Sequence, residues 1–217
     1  MVYKMHNRKL LRRFYQRGAV YFITTYTKNR YPFFKEDVFC EVLSYEVDIL
    51  SRMKEFITHA YVIMPDHLHI LIQPEGETNI SKIMQSIKKN SSRYINQIID
   101  NNPVREIYKS PLPVSEGIKE DIKAFEKHLS GLIDFFLNKY SEDEILTMPR
   151  FQWQRSYHDH ILRDNEDTRD YYEYIINNPV KESMVDDPYD YRWIYNRDSD
   201  DFGRAPHLCN MGGLKQY

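Results

Sequence analysis

With 217 residues, 41% of them apolar, the chain can bury one good core and carry an appendage, whereas two full domains would be cramped. No apolar run approaches the roughly eighteen residues of a membrane span, and no signal-peptide pattern is present, so a soluble, intracellular protein is expected. Cys40 and Cys209 lack C-x-x-C partners, which argues against a disulfide framework or a thiolate zinc site. The net charge of −2 hides an asymmetry. Residues 1–34 carry Lys4, Arg8, Lys9, Arg12, Arg13, Arg17, Lys28 and Arg30 with no acid, while Glu182 to Asp201 is strongly acidic. A basic arm beside an acidic tail suggests a nucleic-acid-facing side and a solvated end.

Along the chain, Ala19 to Tyr26 is rich in β-branched and aromatic residues and reads as a strand. From Glu36 to about Met53, Val38, Phe39, Val42, Leu43, Val47 and Leu50 form a helical stripe. Phe56–Met64 and Leu68–Gln73 read as two strands joined by a tight Pro65-Asp66 turn. A second helix from about Asn79 places Ile80, Ile83, Met84, Ile87, Tyr94, Ile95 and Ile98 on one side, with Lys82, Lys88, Lys89 and Arg93 on the other. Between 101 and 149, Ile118, Ile122, Phe125, Leu129, Leu132 and Phe136 make a narrow helical seam. That seam fits an insertion lying on its own domain or a dimer contact. An extended segment near Phe151–Arg163 leads to a last helix from Asn165 or Glu166 to about Asn177, stopped by Pro179. This order predicts an α+β fold, an antiparallel sheet of five strands or fewer flanked by helices. We place one domain over 1–195, with an insertion at about 101–149 and a tail from 196 to 217.

The sequence His67-Leu68-His69 stands out because side chains two apart on a strand share a face. Leu68, Ile70 and Ile72 then point to the core, and the two imidazoles become a ready pair of metal ligands. On the last helix, Tyr174 and Asn178 are four apart and also share a face. The Asn178 side-chain carbonyl suits a hard cation, or it caps the helix. Tyr174 lies one turn before it, where its hydroxyl could reach a metal-bound phosphorus, with Tyr171 and Tyr172 as rivals. His160 and Arg163 could orient a phosphate or seat the helix, and His158 reads as a surface residue. Arg12 and Arg13 beside Phe14 and Tyr15 combine charge with stacking surface suited to hairpin DNA. Lys88, Lys89 and Arg93 form either a solvated face or a track for a DNA backbone.

Four blocks carry a resemblance: Gly18-Ala19-Val20-Tyr21-Phe22-Ile23-Thr24, Met64-Pro65-Asp66-His67-Leu68-His69, Trp153 to Arg163, and Tyr174 to Lys181 with its Asn-Pro-Val-Lys end. In this order the chain resembles the single-tyrosine HUH transposases (IS200-like), and within them the REP-associated tyrosine transposases. The resemblance spans most of 16–195 and leaves 101–149 outside the usual pattern. It implies a ferredoxin-like HUH fold in which His67 and His69, with Asn178, hold Mg²⁺ or Mn²⁺ and Tyr174 is the nucleophile. It further implies nicking and rejoining of single-stranded DNA near hairpins through a 5′-phosphotyrosyl linkage, with a homodimer as a common assembly. A cytoplasmic protein that joins the nucleoid when DNA-bound would follow. Two other classes fit parts of the sequence: a binding module for hairpin DNA or RNA that cuts nothing, and a metal-dependent phosphodiesterase that uses water.

Overall fold

A computed structural model describes residues 15–16, 18–100, 115–162 and 165–197. Among the described residues, five strands and six α-helices follow in chain order: β1 (Tyr21–Tyr26), α1 (Asp37–Lys54), β2 (Phe56–Met64), β3 (His67–Pro74), α2 (Ile80–Ile99), α3 (Glu116–Lys139), α4 (Glu142–Thr147), β4 (His158–Ile161), α5 (Asn165–Ile176), α6 (Asn178–Lys181) and β5 (Ile194–Asn196). The strands form one antiparallel sheet in the order β4-β1-β3-β2-β5. The expected α+β architecture is therefore present. Its fifth strand, β5, lies in the acidic segment that composition alone marks as a solvated end.

Each face of the sheet buries a different set of residues, because alternate side chains leave a strand on opposite sides. Ile23, Leu68, Ile70 and Ile72 enter the main core with the apolar stripes of α1 and α2. Ala60, Val62, Met64 and Leu71 lie on the other face, against Ile175 of α5 and Leu162. The two-residue Pro65-Asp66 turn sets the pairing of Met64 with His67, and that register puts His67 and His69 on the α5 side. A one-residue slip would send both imidazoles into the main core.

Local chemistry sets the ends of the helices. Asn79 accepts the Lys82 backbone N–H and starts α2, and Glu55 closes α1 in the left-handed region. The seam of the insertion packs on its own chain: Phe125 of α3 stacks on Tyr45 of α1 and Phe136 lies against Phe39. The final helix does not simply stop at Pro179. It breaks at Asn177, and Pro179 occupies the first turn of α6, where its missing N–H needs no helical partner.

Candidate active site

His67 and His69 are both buried, at 8% and 3% exposure, so they are not a solvated pair on an open strand face. Their Nε2 atoms lie 3.1 Å apart. Each ring is fixed from behind. The Asp66 carboxylate sits on His67 Nδ1, and Thr24 Oγ1, across the β1–β3 pairing, lies 2.7 Å from His69 Nδ1. With Nδ1–H donating in both rings, the two Nε2 atoms are left as acceptors 3.1 Å from each other. Their separation matches the edge of an octahedron with bonds of about 2.1 Å. Burial lowers the pKa of His67 against the pull of Asp66. Burial, together with the neighbouring His67, pushes His69 down to about 3. Both rings are then neutral near pH 7, the state a metal ligand requires.

Tyr174 reaches this pair from the layer above. Its ring stands edge-on to His69, with centroids 5.2 Å apart, and edge-on to Phe22 at 5.7 Å. The Lys181 ammonium lies 4.6 Å from the Tyr174 ring centroid, and the tyrosine remains 37% exposed. The rival Tyr171 packs instead between Phe22 and His160. His158 is exposed on β4, as expected of a surface residue. Asn178 is 4% exposed, and its Oδ1 has no hydrogen-bond partner. Because Asn178 is the first residue of α6, it caps neither helix, and an orphaned buried carbonyl oxygen is the donor a hard cation takes. Among the described residues no group of three His, Cys, Asp or Glu could hold a metal ion. A cation at the histidine pair would draw on the two imidazoles.

Residues 16–110 match the family described as Transposase IS200 like. A Haemophilus influenzae protein classed with the REP-associated tyrosine transposases is 25% identical over 211 residues, covering 94% of this chain and 98% of that one. Over residues 16–110 the chain is similar to the IS200-like transposases. A second Haemophilus influenzae protein, uncharacterized, is 25% identical over 181 residues, covering 76% of this chain and 83% of its own length. The solved structure of a REP-associated tyrosine transposase bound to a REP hairpin shares the fold, with a TM-score of 0.54 and 20% identity over 84% of this chain and 79% of that one.

Of the residues expected to contact DNA, Lys88, Lys89 and Arg93 are among those described. Arg12, Arg13 and Arg163 lie outside the described residues. Lys88 donates to the carbonyl oxygens of Gln154 and Ser156, at 2.6 and 3.4 Å, tying the segment before β4 to α2. Arg93 donates to the Tyr94 hydroxyl, and Lys89 is exposed. All three belong to α2, across the sheet from the histidines. Spacing alone did not reveal Asp66, Thr24, Phe22, Lys181 and Arg30 as neighbours of the site. The tight turn before His67 was a signal for Asp66, whereas Thr24 and Phe22 need the β1–β3 register.

Proposed function

We propose that this chain is a metal-dependent single-strand DNA transposase that nicks and rejoins DNA near hairpins through a 5′-phosphotyrosine linkage. Similarity to the IS200-like transposases over residues 16–110 supports an enzyme acting on DNA. The observation that carries the finer reading is Tyr174, held edge-on to His69 beside two Nε2 atoms 3.1 Å apart.

His67, His69 and Asn178 would hold a divalent ion, Mg²⁺ or Mn²⁺, which when bound polarises a phosphodiester and stabilises its added charge. Asp66 and Thr24 keep the imidazoles in the ligating tautomer. The Tyr174 Oη attacks phosphorus as its proton departs, the P–O3′ bond breaks, and the 3′ oxygen leaves as a hydroxyl. One phosphodiester has replaced another, so no nucleotide cofactor is needed. Phenol ionises near pH 10, well below an alcohol, so the tyrosyl ester can be displaced by an incoming 3′-hydroxyl. Phe22 and Lys181 constrain the ring beside His69. Hairpin-bearing single-stranded DNA is the substrate proposed here, in line with the REP hairpin bound by the structural neighbour.

Incubating the protein with Mn²⁺ and labelled single-stranded hairpin DNA should yield cleaved product and a covalent protein–DNA band on denaturing gels. Chelator should abolish both. Cleavage without an adduct would identify the water-using phosphodiesterase, and tight binding with no cleavage would identify the binding module.

A further inference from the structure

Arg30 occupies an unusual place. Asn29 and Arg30 are consecutive non-glycine residues in the left-handed region, at φ 56 and 53. Asparagine tolerates that conformation, but arginine has no intrinsic preference for it. The surrounding loop enforces it. Thr27 is buried and its backbone N–H donates to the Asp66 carbonyl at 2.8 Å. Its hydroxyl reaches the carbonyl oxygens of Tyr31 and Asp66, at 2.8 and 3.1 Å, and the Phe34 N–H donates to the Pro65 carbonyl at 2.9 Å. The loop after β1 is thus bolted to the turn that precedes His67.

The result is a fixed guanidinium. Its Nε donates to Asp66 Oδ2 at 2.8 Å, the carboxylate whose other oxygen sits on His67. Its Cζ lies 4.2 Å from the Tyr26 ring centroid, and Tyr26 itself lies beside His67. The side chain is nevertheless 56% exposed, and its Nη nitrogens donate to no described residue. Strained backbone held in place by its surroundings clusters where function requires it. An exposed partly paired Arg–Asp contact contributes little to stability, so stability alone does not account for the arrangement. A planar fork with free N–H groups on a rigid base is suited to phosphate.

We propose that Arg30 is a substrate-binding residue that takes a phosphate of single-stranded DNA beside the scissile one, on the His67 side of the site. This proposal rests on the single-strand reading above. Asp66 joins the two functions, because one carboxylate orients both the phosphate fork and the first imidazole.

The test is the salt dependence of full-length protein binding to a short fluorescent oligothymidylate, followed by anisotropy in chelator so that no cleavage or metal affinity enters. Arg30→Gln should weaken binding about tenfold at low salt and lower the slope of log affinity against log salt by about 0.7. Arg30→Lys keeps the charge and should keep the slope. Thermal melting of both variants checks that the loop still folds. Wild-type affinity and slope in Arg30→Gln would overturn the proposal. So would equal losses in both variants at an unchanged slope, which would assign Arg30 to holding the loop. If the wild-type protein itself does not bind the oligothymidylate, the single-strand reading fails along with the proposal; wild-type binding that Arg30→Gln leaves intact removes Arg30 alone.

Discussion

Asp66 shows how much one side chain can do in this site. It faces His67 with one oxygen and Arg30 with the other, so it fixes a ring nitrogen and a guanidinium at once. Replacing Asp66 with Asn keeps the size but removes the charge and one of the two acceptor oxygens, so a donor NH2 faces either His67 or Arg30. Asp66→Asn should lower Mn²⁺ affinity about tenfold or more, measured calorimetrically on DNA-free protein; unchanged affinity would mean that Asp66 does not support the ligand pair. At this scale the sequence was informative where a period is short. His67 and His69 share a face because strand side chains alternate, whereas Tyr174 and Asn178, expected one turn apart on a single helix, fall on either side of the break at Asn177. Thr24 and Phe22 could not be read from the sequence, because they approach His69 only through the β1–β3 register and ring packing.

Among the elements, the positions of the helices and central strands were legible from apolar periodicity. The departures occur where tertiary contacts outweigh composition. Pro179 reads as a stop, yet it starts α6 and so leaves Asn178 inside a helix turn instead of at a cap. The segment from Glu182 onward reads as a solvated acidic end, yet it returns to the fold. Trp193 donates to Asp37 at 2.9 Å, Ile194 packs beneath α5 and β5 pairs with β2. Arg192 closes this return by donating to Glu41 Oε1 at 2.9 Å, where Glu41 is 1% exposed. Arg192→Ala removes that donor from a buried carboxylate. The expected cost is about 2 kcal/mol, less than a fully buried pair would show because Arg192 is itself half exposed. Urea unfolding would check it. A stability within error of wild type would mean that the Glu41 carboxylate does not depend on Arg192.

At the scale of the molecule, the sheet separates two layers. One face holds the large core with α1, α2 and α3, and the other carries the histidine pair beneath α5. The lysines of α2 therefore lie in the structural layer, a separation that no linear pattern of charge could disclose. Lys89→Gln should leave the salt slope of oligothymidylate binding unchanged, whereas a fall of about 0.7 would place DNA across α2. The central claim concerns Tyr174, and mass spectrometry tests it most directly. Protein incubated with Mn²⁺ and single-stranded hairpin DNA is digested with nuclease and protease, and the tyrosine peptide bearing a 5′-phosphodiester-linked nucleotide is sequenced. The expected product places the nucleotide on Tyr174, absent without metal and absent from Tyr174→Phe. A nucleotide on Tyr171, Tyr172 or any other residue, or an adduct that persists in Tyr174→Phe, would contradict it.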